Sequence, residues 1–279
     1  MTRAPINKII PMSLVDGPGN RTSIFLQGCN LACAYCHNPE TQRLCNHCGI
    51  CVSGCPSGAL SVAGGRVNWD HEACIACDQC ITVCPSFASP RVRNMTPDEV
   101  FKEIQKNIPF IRGITVSGGE CTLYPNFIKE LFAIAREHGL TCLIDSNGTT
   151  DFSRFPELME LSQGVMLDVK AWDEQVYRKL TEGPTNSVVK KNLRYLAEYN
   201  KLEELRIVCL PGEVDAEAVI KGIAETIGEK VSHVKLKLIK FRHFGVKGRL
   251  QNISSPDDTY MQELLHLANG LGFEKALVV

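Results

Sequence analysis

Residues 21–36 read RTSIFLQGCNLACAYC, and the fold turns on this stretch. Its first half, 21–28 (RTSIFLQG), has the texture of a strand. The strand runs into Cys29, Cys33 and Cys36, separated by three residues and then two. A loop that tight wraps one corner of an iron–sulfur cubane and supplies three thiolates. A [4Fe–4S] cluster normally takes four Cys ligands, so a trio leaves one iron open for chemistry. Taken alone, the loop also reads as a zinc knuckle or as three buried thiols.

The following segment weighs toward clusters. Cys45, Cys48, Cys51 and Cys55 form C-x2-C-x2-C-x3-C before Pro56, and Cys74, Cys77, Cys80 and Cys84 repeat it before Pro85. This is the bacterial-ferredoxin run, found twice at an offset of 29 residues. In two-cluster modules the fourth Cys of one run ligates the other cluster. One cubane is therefore expected at Cys45, Cys48, Cys51 and Cys84, and a second at Cys74, Cys77, Cys80 and Cys55. Two zinc ribbons are the competing reading, but zinc sites usually pair C-x-x-C with a distant second pair.

The chain has 279 residues and 14 Cys, of which the three runs take all but Cys121, Cys142 and Cys209. The opening MTRAPINKII lacks the apolar stretch of a signal peptide, and no run has transmembrane length. Abundant Cys without export points to metal ligation in a reducing cytoplasm rather than to disulfides. A formal net charge of −1 without a strongly basic segment gives no electrostatic case for a nucleic-acid partner. The basic stretch 235–249 reads as a solvated face, or as a surface for an acidic protein.

Around the Cys-rich segment 44–94 the texture alternates. Strands are expected at 21–28, 113–117, 140–144, 165–169, 205–210 and 234–239. Helices are expected at 96–107, 125–138, 187–199, 215–227 and 257–271. Thr96, with Pro97 next and Glu99 three residues on, makes a capping box. Alternating strands and helices imply a parallel sheet with right-handed crossovers. The expected fold is α/β, a partial (β/α)6-type barrel formed by 1–43 and 95–279, with 44–94 as a ferredoxin-like two-cluster insertion. A flat doubly wound sheet is the alternative.

In such barrels chemistry sits at the C-terminal strand ends. There the chain places Gly118–Gly119–Glu120, Asp145–Ser146–Asn147–Gly148 and Asp168–Val169–Lys170. Singly, these read as a Gly-rich turn, a turn signal and a surface ion pair. Together, behind a Cys trio, they read as one shared site.

CNLACAYC resembles the CxxxCxxC loop of radical S-adenosylmethionine (SAM) enzymes, and SGGE (117–120) resembles their second signature. VDGPG (15–19), QGCN (27–30) and YCHNPET (35–41) resemble the activating enzymes of glycyl-radical enzymes, and the double insertion their longer, YjjW-type members. The resemblance implies three [4Fe–4S] clusters, SAM bound at the open iron of the Cys29/Cys33/Cys36 cluster, and reductive cleavage to a 5′-deoxyadenosyl radical. That radical would take a hydrogen from a glycine Cα of a partner glycyl-radical enzyme. Oxygen sensitivity follows from the open iron.

The resemblance also implies individual roles. Gly118, Gly119 and Glu120 would receive the methionyl amino group. Tyr35, Cys36 and His37 would flank the adenine, and Asp168, Val169 and Lys170 would form the D-x-K of the SAM site. Asp145, Ser146, Asp168 and the Met166 carbonyl would hold a monovalent cation, Na+ or K+. Asp16 would stand near the incoming glycine loop. Arg206 would face the SAM pocket, or make a buried ion pair. His243 would help hold SAM, although its register in KFRHFG departs from the family's spacing. Cys121, where the family more often has Pro, reads as apolar filler. The insertion clusters would relay electrons from a flavodoxin or ferredoxin, or would shape the docking face. Two other classes remain open: an iron–sulfur electron carrier, and a radical SAM enzyme acting on a small molecule or peptide.

Overall fold

The computed structural model describes residues 2–279, so Met1 lies outside the described residues. Eleven strands form: β1 (Ala4–Ser13), β2 (Arg21–Leu26), β3 (Leu60–Ala63), β4 (Arg66–Trp69), β5 (Arg93–Met95), β6 (Gly113–Gly118), β7 (Thr141–Ser146), β8 (Gly164–Asp168), β9 (Leu202–Cys209), β10 (Lys235–Lys240) and β11 (Lys275–Val278). Nine of them make one sheet in the order β11-β10-β9-β8-β7-β6-β2-β1-β5. From β2 to β11 every neighbouring pair is parallel. β1 and β5 add an antiparallel flank.

The strand order decides between the two expected architectures. A doubly wound sheet reverses direction partway, so its helices cover both faces. Here each parallel strand is added on the same side as the last, and right-handed crossovers then put the helices on one face. The other face is left to line a site. The sheet also curls. Lys237 on β10 brings Nζ to within 3.5 Å of the Val15 carbonyl, just before β2. Five strand spacings separate β10 from β2, about 24 Å if the sheet were flat.

All six expected strands form, and the capping box is present: Glu99 N donates to Thr96 Oγ1 at 3.2 Å, and Thr96 N to Glu99 Oε2 at 2.7 Å. Its helix runs Pro97–Ile104 and tightens into a 3-10 turn, Gln105–Phe110. β1, β5, β11 and the helices Pro156–Leu161 and Glu174–Thr181 were not anticipated. β1 carries Pro5 and Pro11, which normally argue against a strand, and its ladder is interrupted by register shifts.

Within 44–94 a hairpin, β3–β4, and a one-turn helix, Gln79–Thr82, enclose a small core of Cys51, Leu60 and Val67. This core is separate from the main one. The chain re-enters the large sheet at β5, so Arg93 and Asn94 already belong to that sheet. No described helix is long and apolar enough to cross a membrane.

Candidate active site

The Cys29–Cys36 loop is shaped by backbone contacts at both ends. Gly28 N donates to Thr41 O and Cys29 N to Gln42 O, each at 2.8 Å, which closes the base of the loop. Its middle is pinned from outside. Ala32 N donates to Thr181 O at 2.9 Å and Ala34 N to Leu180 O at 2.8 Å, at the end of the helix Glu174–Thr181.

Cys29, Cys33 and Cys36 then face one cavity of about 370 Å³, together with Tyr35 and His37 from the same loop. That volume suits a cofactor-sized ligand. Gly118 and Gly119 line it from the end of β6, Asp145, Ser146 and Asn147 from β7, Asp168 and Lys170 from β8, and Arg206 from β9. Asp16 lines it from the β1–β2 loop, where its Oδ2 accepts from Ser13 Oγ (2.6 Å) and Ser23 Oγ (2.8 Å).

The cavity carries paired charges. Lys170 Nζ meets Asp168 Oδ2 at 2.9 Å and lies 5.7 Å from the centre of the Tyr35 ring. Burial alone would favour neutral Lys170, but Asp168, Tyr35 and Cys33 outweigh it and keep the ammonium charged. Burial pushes the Cys29 thiol up to about 11 and Cys33 to about 12, with Lys170 pulling both back. Metal ligation must therefore expel thiol protons. Arg206 Nη1 meets Asp145 Oδ2 at 2.9 Å, and its Nε meets Glu204 Oε1 at 2.7 Å. Glu204 is 2 % exposed and also holds Lys237 at 2.9 Å. Burial would lower the Arg206 pKa, but Asp145, Asp168 and Glu204 raise it instead.

Several expected residues lie elsewhere. Glu120 is 1 % exposed and does not line the cavity. Its carboxylate accepts from Thr122 Oγ1 (2.5 Å), Thr122 N (3.0 Å), Ser146 Oγ (2.9 Å) and Asn147 N (2.7 Å). It ties the end of β6 to the end of β7, so SGGE lines the cavity through Ser117 and the two glycines. Their small size answers a neighbouring backbone. A Cβ on Gly118 (φ +124°) would lie 2.2 Å from Leu26 O, and one on Gly119 2.2 Å from Gly28 O. Gly119→Ala is accordingly expected to displace the Cys loop and abolish SAM binding, measured by equilibrium dialysis of reconstituted protein.

Three of the four cation-site residues are engaged through their side chains. Asp145 also accepts from Ser117 Oγ at 2.9 Å, Ser146 is turned to Glu120, and Asp168 holds Lys170. Met166 Sδ accepts from Arg206 Nη2 at 3.3 Å, a contact of its side chain and not of the carbonyl named for the cation. Side-chain cations thus stand against both carboxylates of the set. Val169 is buried, and its N–H donates to Arg206 O at 3.0 Å, a sheet contact. His243 is exposed against Phe244 and does not line the cavity. His37 does, with Nε2 2.7 Å from Arg242 O.

Two participants escaped the sequence reading, and Asn147 entered it only as part of DSNG. Asn147 Nδ2 reaches Cys29 Sγ at 3.8 Å, and its place in DSNG was the available signal. Glu204 carried none. Arg21 is fully buried without a carboxylate partner, donating to Thr115 Oγ1 (2.9 Å), Ile114 O (2.7 Å) and Thr141 O (2.9 Å). Burial lowers its pKa to about 10, and it clamps β2, β6 and β7 below the cavity.

In the insertion, Cys55, Cys74, Cys77 and Cys80 line one cleft with Trp69 and Arg91. Cys51 is influenced by Cys45, Cys80 and Cys84. All fourteen cysteines are free thiols. Cys121, Cys142 and Cys209 are buried in the main core. Cys121 Sγ donates to Asp145 O at 3.3 Å, consistent with a packing role. Among the described residues no three His, Cys, Asp or Glu side chains converge tightly enough for one metal ion. A cluster makes a different demand, since it presents separate irons to separate thiols, and the loop trio meets it by sharing one cavity wall.

Comparison with known proteins agrees with this geometry. Residues 23–220 match the model of the Radical SAM superfamily. The indoleacetate decarboxylase activating enzyme of Tractidigestivibacter scatoligenes is 30 % identical, with 97 % of this chain and 96 % of that protein covered. The choline trimethylamine-lyase activating enzyme of Oleidesulfovibrio alaskensis is 31 % identical, with coverage of 88 % and 85 %. A Haemophilus influenzae protein provisionally named a glycyl-radical enzyme activating enzyme is 29 % identical over 99 % of this chain and 96 % of its own. Among solved structures, QueE from Escherichia coli aligns with a TM-score of 0.59 at 14 % identity, over 99 % of this chain and 94 % of that one, a likeness of fold alone. The chain belongs to the radical SAM superfamily and, within it, to the glycyl-radical enzyme activating enzymes.

Proposed function

We propose that this chain activates a partner glycyl-radical enzyme by generating a radical on one of its glycines. The observation that carries the reading is the convergence of the Cys29/Cys33/Cys36 trio, the Gly118–Gly119 backbone and four charged side chains on one cavity at the strand ends. Cys29, Cys33 and Cys36 would hold a [4Fe–4S] cluster, which would supply an open iron to bind SAM and the electron for its reductive cleavage. The outcome would be transfer of a hydrogen from the partner's glycine Cα, leaving 5′-deoxyadenosine, methionine and a glycyl radical.

The residues have separable roles in this proposal. Gly118 and Gly119 admit the methionyl end of SAM close to the backbone. Lys170 and Asp168 present opposite charges to its carboxylate and amino groups, which are charged themselves. Tyr35 and His37 bound the adenine side. Arg206 supplies the positive charge assigned by resemblance to a monovalent cation. Asp16, on the β1–β2 loop, faces the incoming glycine segment. Glu120 and Val169 support the walls, and His243 has no part.

The segment 44–94 would carry two further [4Fe–4S] clusters, at Cys45/Cys48/Cys51/Cys84 and Cys55/Cys74/Cys77/Cys80. They would pass electrons inward from a flavodoxin or ferredoxin. The grouping of Cys55 with the second run in one cleft supports the crossed assignment. Free thiols in this number suit a reducing cytoplasm.

The test is anaerobic. Reconstituted protein is mixed with SAM, dithionite and a candidate partner bearing a C-terminal glycine-radical segment. An EPR doublet on the partner, matched by 5′-deoxyadenosine, is expected. Deoxyadenosine with no radical on any such partner would redirect the assignment to a small-molecule or peptide substrate.

A further inference from the structure

The two cages of the insertion share a sequence pattern but not an environment. At the second cage Trp69 turns its indole toward the thiols. Its Nε1 is buried and has no acceptor of full hydrogen-bond geometry among the described residues. It lies in the cleft lined by Cys55, Cys74, Cys77 and Cys80.

Arg91 lines the same cleft. Its guanidinium is 18 % exposed and is anchored at 2.5 Å to Asp78, which is 63 % exposed. The counter-charge thus faces water, where it is screened, while the cation faces sulfur. Asp78 adopts a left-handed conformation (φ +59°) between Cys77 and Cys80, which fixes the anchor within the ligand loop itself.

At the first cage backbone amides donate to sulfur, His47 N to Cys45 Sγ and Ala88 N to Cys84 Sγ, each at 3.4 Å, but the cation and the indole have no counterpart. One repeat earlier, at the same 29-residue offset, the counterpart of Arg91 is Val62, an exposed apolar residue of the hairpin.

Reduction adds negative charge to a cluster. A nearby cation and N–H donors aimed at sulfur stabilise that charge and raise the potential. We propose that Trp69 and Arg91 are redox-tuning residues that set the cluster at Cys55/Cys74/Cys77/Cys80 at a higher potential than its neighbour at Cys45/Cys48/Cys51/Cys84. This rests on the two-cluster reading of the insertion given above. One electron from a reductant of the flavodoxin or ferredoxin class, itself oxidised by one electron, would then settle first on the second cluster. The Cys45/Cys48/Cys51/Cys84 cluster would fill only at lower potential.

EPR-monitored potentiometric titration of the full, anaerobically reconstituted chain tests this, with added SAM marking the loop cluster by its changed signal. Arg91→Gln is expected to lower one insertion midpoint and leave the other in place. The expected shift is about tenfold in the reduced-to-oxidised ratio at fixed poise, ~59 mV for one electron. Trp69→Phe should lower the same midpoint by less, and Arg91→Lys should retain most of the wild-type value. Unchanged midpoints, or equal shifts in both, overturn the proposal. Should Arg91→Gln lose iron, Trp69→Phe and Arg91→Lys carry the decision. Wild-type protein that binds only about four irons, the content of one cubane, would instead sink the underlying two-cluster reading.

Discussion

Replacing Cys33 with serine is expected to bring 5′-deoxyadenosine formation to background while leaving the fold and the insertion intact. Cys33 lies between Cys29 and Cys36 on the cavity wall, and its thiol feels Lys170 more than any other charge. Serine is close in size, so packing is preserved, but its hydroxyl ionises far less readily and is a harder donor than the thiolate that iron–sulfur sites select. Reconstituted iron should fall from about twelve to about eight atoms per chain, four per cubane. The insertion's EPR signals should persist, and the SAM-induced change in the loop-cluster signal should vanish. A residual rate near a tenth of wild type, a barrier increase of only about 1.4 kcal/mol, would mean that the trio does not hold the reacting cluster.

Glu120→Ala is the second large effect, and it separates two accounts of SGGE. If the carboxylate received an ammonium group of the ligand, truncation would weaken SAM binding and spare the unliganded protein. The structure places the carboxylate behind the wall, accepting hydrogen bonds from Thr122, Ser146 and Asn147. Truncation would strand these donors in a buried site, at about 1–3 kcal/mol for each group left unsatisfied. Loss of about 3–5 kcal/mol is expected for the protein without SAM or iron, in the range found when a buried charged network is broken. Denaturant unfolding under reducing conditions measures it. SAM binding should fall as well, because Asn147 would no longer be held against Cys29. Unchanged stability with lost SAM binding would restore the direct-contact account.

Much of the molecule was legible before its structure. Strands and helices of the parallel sheet follow from alternating apolar runs and caps, which are local. Thr96, Pro97 and Glu99 needed no partner outside their own helix turn to be read correctly. The Cys trio and the strand-end motifs were visible as spacing, and Asp145, Asp168, Lys170 and Arg206 do meet at one cavity.

Other features depend on residues far apart in the chain. β1 and β5 exist because each pairs with a distant strand, and β1 does so despite its prolines. The Cys loop takes its shape from Leu180 and Thr181, about 150 positions away by the numbering. Glu120 turns inward because Ser146 and Asn147 present donors there, and Arg206 is claimed by both Asp145 and Glu204. His243 misses the cavity because its segment leaves β10 into an exposed turn. By itself, the sequence determined the six parallel strands from β2 to β10, the five helices read with them and the chemical groups at the strand ends, because periodicity, capping and ligand spacing act over a few residues. Tertiary structure alone decided which of those groups face the cavity and which are spent holding it, because competition for a carboxylate is settled by whichever donors the fold brings within reach.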